Sequence, residues 1–549
     1  MTSVAHARGR PYLFRNAPAA HGPRTHCEVP RFVAARRFAA IMLVITCAAF
    51  DPIVAQTPSS WTNHGRPTSQ ALAVLAFMLD VQSRGLQPSD YAADRLATEA
   101  RMLGAAIRPD SAAATRFDGQ LTGSLVMLLR HLHAGRTPPR ALGFRIPDTH
   151  QTLDFESMAQ AMSTAPDVLA AFALAEPRYA GYRALLTGLA RYRKVAADSA
   201  LRAPASLSRT VRIGESYVDA PALRRWLGAL GDLAAEHITV PDSLVRRYDP
   251  ALSAAVKRFQ GRHGLDTTGV LGRSTAAALR VSAARRVQQV ELALERWRWL
   301  PDVPPARYAV VNIPAFRLYV FENDNAAERP VIRMDVIVGR AYIGRRTPIF
   351  TATMSQVVLR PYWDIPVSIA RDELIPLIRR NRQYLQRESL EIVSGGDEGA
   401  QVFPATDVNL SRVARGSLRL RQRPGEANAL GPAKFLFPNA HNVYLHGTPS
   451  RQLFAQSRRD FSHGCIRVQD PAALAELVLR GQPRWDRASI NAAMAGSRPT
   501  RIAIARPLGV FILYATVVAD DDVLRFYPDI YGHDAALERV LKAQRSGGA

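Results

Sequence analysis

Apolar residues recur at helical spacing through the first half of the chain, between residues 56 and 300. The stretch 69–103 predicts two amphipathic helices separated at Gly85 and Pro88, and 179–195 places basic residues between the members of an apolar stripe. Further helical segments are predicted over 118–132, 154–162, 166–175, 221–233 and 287–300, and 248–279 predicts two helices, the first ending at Gly264-Leu265 and the second starting at Thr275 after a turn at Gly269 and Gly272. Because none of these segments carries a catalytic constellation, their apolar stripes are interpreted as the core of a helical scaffold.

The period changes at Arg307, where apolar and polar residues begin to alternate as they do in β-strands. Strands are predicted over 308–313, 317–322, 331–339, 350–359, 418–423, 434–437, 443–446, 501–505, 509–516 and 523–526. A polar segment interrupts the alternation between 367 and about 420, and part of it, 369–380, has helical spacing. Such an insertion is a candidate lid, although an ordinary surface excursion fits the pattern too. The chain is therefore predicted to be a multidomain α+β protein, helical first and mostly β afterwards.

The composition adds a strong positive charge to this picture. The 549 residues include 71 Lys and Arg against 47 Asp and Glu, which gives a net charge of +24. A charge of this size attracts polyanions without identifying them. The arginines are spread along the whole chain and no zinc-finger or RNP-type pattern accompanies them, so nucleic acid is not predicted as a partner. A coding bias toward arginine and an anionic cell envelope are the favoured interpretations of the charge.

Residues 31–55 have the pattern of a secretory signal. Three arginines precede a short apolar run, 38–50, and the small residue Ala55 suits cleavage. The run is shorter than the ~20 apolar residues that an ordinary membrane-spanning helix needs. Export is therefore predicted, with anchoring at a membrane as the alternative where the segment is not cleaved.

The cysteines become informative once the signal is set aside. The chain has three, Cys27, Cys47 and Cys465, and removal of residues 1–55 leaves Cys465 alone. An exported chain with one thiol has no disulfide to form, so Cys465 is a candidate reactive group. The competing interpretation is a small, buried, apolar cysteine.

Side chains suited to thiol catalysis cluster in the stretch HGTPSRQLFAQSRRDFSHGCIRV. A cysteine becomes a strong nucleophile where its pKa is lowered and a base takes its proton, and His446 and His463 are the candidate bases for Cys465. Gly464 allows a close backbone approach, and the amides of this turn are suited to a developing oxyanion. Arg467 offers a planar fork to a carboxylate.

Taken together, His446, the run Ser462-His463-Gly464-Cys465 and the following Arg467 resemble the signature of the L,D-transpeptidases, cysteine enzymes that cross-link bacterial peptidoglycan. The longer stretch NALGPAKFLFPNAHNVYLHGTP, leading into SHGCIRV, is similar to the large periplasmic subgroup with an added peptidoglycan-binding domain. The spacing within 248–279 is similar to the small three-helix peptidoglycan-binding module of wall enzymes. One position departs from the family, because Arg360 stands where an Asn usually precedes the proline.

The resemblance implies a domain order and a setting. The implied segments are a leader and signal or anchor (1–55), a helical scaffold (56–240), a peptidoglycan-binding-like module (241–283), a connecting helix (284–305), a catalytic domain (306–505) with a capping insertion (about 367–420), and a C-terminal segment (506–549). The implied setting is the periplasm of a Gram-negative bacterium. Peptidoglycan stem peptides are the implied substrate, the acceptor is a second stem, an outer-membrane lipoprotein or another amine, and no cofactor or metal is expected.

The same resemblance distributes roles within the site. Cys465 attacks the carbonyl of the third stem residue, His446 takes the thiol proton, and the backbone at Gly464 stabilises the oxyanion. His463 acts either as an orienting residue or as a donor near the oxyanion. Substrate-binding roles are assigned to Arg467, Ser462 and Tyr444, although a purely structural Tyr444 is the more ordinary interpretation.

Three alternatives stay open at the level of the sequence. His446, His463 and Cys465 could form a zinc site, but no fourth ligand is evident and structural zinc sites want four. Water could resolve the acyl-enzyme, which would make the protein a hydrolase of stem peptides or of wall-attached lipoprotein. The protein could also bind the wall without catalysis.

Overall fold

The computed structural model of the chain describes residues 60–148, 150–204, 207, 209–322, 329–395, 399–520 and 523–546. The leader and signal segment predicted for residues 1–55 lies outside the described residues. Within them, no helix combines the length and the apolar character that a membrane crossing needs.

The N-terminal part of the chain is helical, as its apolar spacing predicts. After a short hairpin of β1 (Thr62–Asn63) and β2 (Arg66–Pro67), the helices are α1 (Ser69–Leu79), α2 (Ala93–Ala105), α3 (Ser111–Ala134), α4 (Phe155–Met162), α5 (Val168–Ala175), α6 (Ala180–Ala197), α7 (Ala220–Leu230), α8 (Pro250–Arg262), α9 (Arg273–Leu279) and α10 (Ala283–Trp297). Side-chain oxygens of Thr68, Asp110 and Asp154 accept hydrogen bonds from backbone N–H groups in the first turns of α1, α3 and α4. One apolar core joins α1 to α5, and a second joins α6 to α10.

Helices α7, α8 and α9 form the small helical module, and its turn is held by a buried side chain. Gln260 is 2% exposed; its amide donates to the Val270 carbonyl and the Thr275 hydroxyl, and its carbonyl accepts from the Gly269 N–H. Asp232, which follows α7, forms a buried ion pair with Arg262 of α8. The predicted module began at residue 241, whereas its first helix, α7, lies before that boundary.

The second half of the chain is mostly β. Its strands are β3 (Arg307–Asn312), β4 (Arg317–Glu322), β5 (Ile332–Gly339), β6 (Phe350–Leu359), β7 (Trp363–Asp364), β8 (Leu390–Ser394), β9 (Gln401–Phe403), β10 (Arg419–Gln422), β11 (Ala433–Leu436), β12 (Leu445–His446), β13 (Asp460–Ser462), β14 (Ile466–Val468), β15 (Thr500–Leu513), β16 (Val517–Asp520) and β17 (Val523–Phe526). Its helices are α11 (Val367–Ile369), a π-helical turn (Ala370–Leu374), α12 (Ile375–Arg380), α13 (Gln383–Arg387), α14 (Asp407–Ala414), α15 (Pro471–Val478), α16 (Arg487–Ala495) and α17 (His533–Ser546).

The main sheet has the strand order β13-β5-β14-β12-β11-β6-β15-β3-β4 within the described residues, and β4 also pairs with β5. That pairing closes the sheet on itself. Most neighbours run antiparallel, but three pairs are parallel within the described residues: β12 with β14, β3 with β15, and β5 with β13. Alternate residues fill the interior, and Val357, Phe435, Leu445 and Ile466 are all fully buried there.

The insertion between β6 and β11 is a separate layer with its own core. Its sheet has the order β7-β10-β8-β9, and α11 to α14 pack against it around Ile378, Ile392, Leu410 and Leu420, all fully buried. The α+β prediction with an inserted capping subdomain is therefore confirmed. The insertion is predicted over about 367–420. The pairing of β7 with β10 shows that the layer begins a few residues before that range and ends just after it.

The C-terminal residues belong to both halves of the molecule. The predicted boundary at 505/506 falls inside β15, a continuous strand that pairs with both β3 and β6. Beyond it, the hairpin of β16 and β17 leaves the sheet and places Val517, Leu524 and Phe526 in the second helical core. Asp534 at the start of α17 then forms a buried 2.6 Å ion pair with Arg296 of α10.

Candidate active site

Polar side chains from three adjacent strands share one face of the closed sheet. Parallel pairing of β12 with β14 puts His446 beside Arg467, and antiparallel pairing of β12 with β11 puts Lys434 opposite His446. Successive side chains of a strand point to opposite faces, and the residues between these polar ones, Leu445 and Ile466, are buried in the core. The face left outside the core carries Lys434, Tyr444, His446, Cys465 and Arg467.

His446 is a buried and neutral base. The ring is 4% exposed, and its Nδ1 lies 2.6 Å from the Gly447 carbonyl oxygen, which assigns the proton to Nδ1 and the lone pair to Nε2. Burial, followed by the neighbouring charge of Arg467, lowers the pKa of His446 to about 3, although the Gly447 carbonyl opposes that shift. The ring is therefore free to accept a proton through Nε2 at neutral pH. The group that orients the His446 ring could not be predicted from the sequence. In the structure it is the backbone carbonyl of Gly447.

Cys465 is a partly buried, free thiol. Its Sγ lies 3.8 Å from the Asn442 carbonyl oxygen. Burial raises the pKa of the Cys465 thiol, while hydrogen bonding with Tyr444 and the charges of Lys434 and Arg467 oppose that rise. The protonated thiol is therefore the resting form, and no hydrogen bond joins Sγ to either histidine within the described residues. His446 and Cys465 share a face but need a closer approach for proton transfer.

Cys465, the candidate nucleophile, follows a tight turn that is stabilised by its own hydrogen bonds. Gly464 has φ +125°, a conformation that residues with a Cβ rarely adopt. The Ser462 hydroxyl donates to the Cys465 carbonyl at 2.5 Å and accepts from the Gly464 N–H at 3.1 Å. The Gly464 N–H is thus already paired, whereas the Cys465 N–H makes no hydrogen bond with any described residue. The Cys465 amide is the donor suited to an oxyanion, and Ser462, which is buried, organises the turn.

The C-terminal part of the chain supports this turn from behind. The Thr347 hydroxyl donates to the Gly464 carbonyl and accepts from the Gly339 N–H, both at 2.8 Å. The Tyr531 hydroxyl accepts from the Thr347 N–H at 3.2 Å and donates to the Gly339 carbonyl at 2.5 Å. A Cβ on Gly339 would lie 2.1 Å from the Arg345 carbonyl oxygen, so this close packing requires glycine. The position of the catalytic turn therefore depends on three separate segments.

His463 points toward the capping layer. Its Nε2 lies 2.8 Å from Oε1 of Glu373, which belongs to the π-helical turn of the insertion. The same carboxylate forms a 2.5 Å ion pair with Arg345 of the loop between β5 and β6. Of the two roles predicted for His463, the contact fits an orienting residue that joins the cap to the catalytic turn.

Arg467 borders a cavity of about 160 Å³ between the cap and the catalytic strands. Trp363, Tyr384 and Leu390 line it from the cap, and Thr448 and Ser450 line it from the segment after His446. Arg467 forms no ion pair with any described residue, and its Nε is buried without a hydrogen-bond partner. Burial lowers the pKa of Arg467, because removal from water destabilises the charged form of the guanidinium. A guanidinium in this condition is suited to a carboxylate ligand.

Tyr444 lies beside the nucleophile and contacts a cation on its other side. The Nζ of Lys434 lies 4.1 Å from the centre of the Tyr444 ring, and the ring centres of Tyr444 and His446 are 5.6 Å apart. Burial and the neighbouring Cys465 raise the pKa of Tyr444, so its hydroxyl stays protonated. A larger cavity, of about 580 Å³, lies away from this face, between α6, α10 and the strands β3, β4 and β15.

The zinc alternative is not supported at these residues. Within the described part of the chain, the group of metal-ligand side chains close enough to hold an ion is His133, His150 and Asp302, in another part of the molecule. His463 is engaged by Glu373.

Comparison with known protein families gives matches to three parts of this chain. Family models match residues 306–485 ("L,D-transpeptidase catalytic domain", of the YkuD type), 56–189 ("Scaffold domain") and 218–279 ("Putative peptidoglycan binding domain"). A Haemophilus influenzae protein named "Putative L,D-transpeptidase" is 30% identical over 247 residues, which are 45% of this chain and 48% of that protein. The match thus spans about half the length of the curated relative.

One solved structure, a fused Zn-dependent amidase/peptidase/peptidoglycan-binding domain-containing protein from Clostridium acetobutylicum, is 13% identical. The match covers 56% of this chain and 99% of that chain, with a TM-score of 0.13. At that score the likeness carries no argument about the fold.

Proposed function

From the premise that this chain contains an L,D-transpeptidase catalytic domain of the YkuD type and a peptidoglycan-binding domain, we propose that it is a cysteine acyltransferase that forms 3-3 cross-links between peptidoglycan stem peptides. The observation that carries the proposal is the shared face on which β12 and β14 bring a thiol, a neutral imidazole and an unpaired guanidinium together. Each of these groups has a distinct task in acyl transfer.

The first half-reaction forms a thioester and releases the terminal D-alanine of a tetrapeptide stem. Nε2 of His446 accepts the thiol proton while Sγ of Cys465 attacks the carbonyl carbon of the third stem residue. The carbonyl oxygen becomes an oxyanion, toward which the Cys465 N–H donates; one such donor contributes ~3–4 kcal/mol to the barrier reduction. When the tetrahedral intermediate collapses, His446 returns the proton to the departing amine, and the C–N bond breaks.

The second half-reaction transfers the acyl group. The side-chain amine of a third residue on another stem attacks the thioester carbon, His446 takes a proton from that amine, and the thiol leaves. A new amide then joins two third residues. The unpaired Arg467 in the 160 Å³ cavity supports binding of a stem carboxylate. An outer-membrane lipoprotein is an alternative amine acceptor at this step.

Sγ of Cys465 and the His446 ring make no hydrogen bond in the free protein, and this is compatible with the proposed steps. Catalytic hydrogen bonds are often long in a free enzyme and shorten only when substrate binds. His463 and Glu373 connect the cap to the catalytic turn, so substrate bound beneath the cap is in a position to affect both. The signal-like residues 31–55 support export to the periplasm of a Gram-negative bacterium, where peptidoglycan is found.

The test is a muropeptide analysis. Purified tetrapeptide muropeptides are incubated with the wild-type protein and with Cys465→Ala, and the products are separated and weighed. We expect dimers joined through two third residues and free D-alanine with the wild type, and unchanged substrate with the variant. Shortened monomers alone would identify a hydrolase. Unchanged muropeptides with both proteins would favour a wall-binding scaffold and overturn the proposal.

A further inference from the structure

Three segments of the chain meet at the junction of the scaffold and the connecting helix. His133 lies in the last turn of α3, His150 in the loop before α4, and Asp302 between α10 and β3. Their side chains are 8%, 12% and 22% exposed, so the group is largely enclosed but open to water at the carboxylate. The proposed transpeptidase reaction uses none of these residues.

The ring of His133 is the most informative member. Its Nε2 is buried and makes no hydrogen bond with any described residue, which is unusual for a polar atom removed from water. Oδ1 of Asp302 is the nearest charged atom, at 3.6 Å, and the same Oδ1 lies 2.7 Å from Nδ1 of His150. The three donor atoms all lie within 4.8 Å of one another. A buried ring nitrogen thus faces the two other donor atoms without a hydrogen bond.

We propose that Nε2 of His133, Nδ1 of His150 and Oδ1 of Asp302 bind a divalent transition-metal cation, with Zn²⁺ as the best match. Four-coordinate zinc with nitrogen and oxygen ligands at about 2.0–2.2 Å separates its ligand atoms by roughly 3–3.5 Å. Oδ1 of Asp302 lies 2.7 Å from Nδ1 of His150 and 3.6 Å from Nε2 of His133, and these two distances lie on either side of that separation. Imidazole and carboxylate donors favour zinc and its neighbours over magnesium. Water reaches the fourth position through the exposed edge of Asp302.

One of the proposed ligands is already fixed in orientation by a backbone hydrogen bond. The second carboxylate oxygen of Asp302 already accepts from the Gln151 N–H at 2.7 Å, which fixes the orientation of the ligand.

The cation would fasten the scaffold to the segment that leads into the catalytic domain. Asp302 follows α10, and β3, the first strand of the closed sheet, begins at Arg307. Because His150 and Asp302 are 152 residues apart in sequence, a cation bound by both closes a long loop and opposes local opening at the junction. Loss of the site does not remove the thiol, the base or Arg467.

The experiment uses the full chain after treatment with a chelator and exchange into metal-free buffer. Zn²⁺ is added during calorimetry and thermal melting of the wild type, His133→Gln, Asp302→Asn and the control Cys465→Ala. We expect one Zn²⁺ per chain and a higher melting temperature for the wild type and the control, with binding weakened at least tenfold in the other two variants. Mg²⁺ should leave the melting temperature unchanged.

A spectroscopic arm separates this site from the catalytic thiol. Co²⁺ bound by two histidines and an aspartate lacks the sulfur-to-cobalt charge-transfer band that a thiolate ligand produces. The proposal fails if that band appears, if the wild type binds no Zn²⁺, if binding is unaltered in both site variants, or if it is lost in Cys465→Ala. Should His133→Gln not fold, His150→Gln, whose side chain lies on a loop, takes its place with the same expected loss.

Discussion

Replacing Thr347 with Val tests whether the catalytic turn is held from behind. Thr347 is 1% exposed, and its hydroxyl bonds the Gly339 N–H and the Gly464 carbonyl, each at 2.8 Å. Valine keeps the shape of the side chain but leaves both groups unsatisfied in the interior. One unsatisfied buried group costs about 1–3 kcal/mol, so the two groups together should destabilise the catalytic domain by roughly 2–6 kcal/mol. That loss lowers its melting temperature by on the order of 5–20 °C.

The same substitution should slow the chemistry of Cys465. With the Gly464 carbonyl released, the turn that presents the thiol is held less firmly, and small misplacements of a reacting group cost up to about 100-fold in rate. We therefore expect acylation of Cys465 by a carbapenem-type β-lactam to slow by about 10- to 100-fold in Thr347→Val. Intact-protein mass spectrometry over a time course measures that rate directly.

Two further variants make the test specific. Thr347→Ser keeps the hydroxyl and should react at close to the wild-type rate. Tyr531→Phe removes the hydroxyl that bonds the Thr347 N–H and the Gly339 carbonyl, and it should be coupled to Thr347→Val by about 0.5–3 kcal/mol in a double-mutant cycle. A Thr347→Val protein that melts and reacts as the wild type does would refute the idea that this network positions the turn.

Other predictions concern the base, the pH and the cations. His446→Gln should lower the β-lactam acylation rate by about 10²–10⁴-fold, whereas His463→Gln should lower it less than tenfold; equal losses, measured by mass spectrometry, would contradict the assignment of the base. Folding keeps the pKa of His446 at about 3 against 6.5 when unfolded, so the stability linked to it is full above pH 6.5 and is lost as the pH falls toward 3. Between about pH 7 and pH 5, the melting temperature of His446→Gln should therefore fall less than that of the wild type. Arg467→Met and Lys434→Met should each raise the pKa of Cys465, since both cations lower it; an unchanged titration of thiolate ultraviolet absorbance would count against this.

Helices and strands with a clear hydrophobic periodicity could be predicted from the sequence. The residues at which they begin and end were harder to predict. The strands β4, β6 and β17 have the predicted bounds, because each alternates clearly between apolar and polar residues. Helix α3 begins at Ser111, before the predicted 118, because the cap at Asp110 starts it ahead of the apolar stripe. Strand β15 was predicted as two strands. Its pairing with β6 shifts register between Ala503 and Leu508, and there the alternation breaks without ending the strand.

The candidate reacting residues could be predicted from the sequence, but the groups that position them could not. The short spacing around Cys465 predicts a nucleophile and its candidate bases. Thr347, Glu373 and Tyr531 reach the same turn only through the folding of distant segments, and nothing in their local patterns indicates it. Arg360, noted as a departure from the family, adopts φ +54°, a left-handed conformation that Asn enters more readily than Arg. The left-handed backbone at this position explains why the family usually has Asn there. The conformation is seen only in the folded structure, at the end of β6.

The hairpin of β16 and β17 has a consequence for biosynthesis. Its apolar side chains complete the core that α6, α8 and α10 begin, yet these helices leave the ribosome long before the hairpin does. The core of these helices therefore stays incomplete until the hairpin has been synthesised. Modules that fold one after another during translation do not have this delay. A truncated product that stops after residue 513 would therefore expose apolar surface in the helical half as well as at the cut end, so nonsense mutations late in the coding sequence should yield aggregation-prone, rapidly degraded protein.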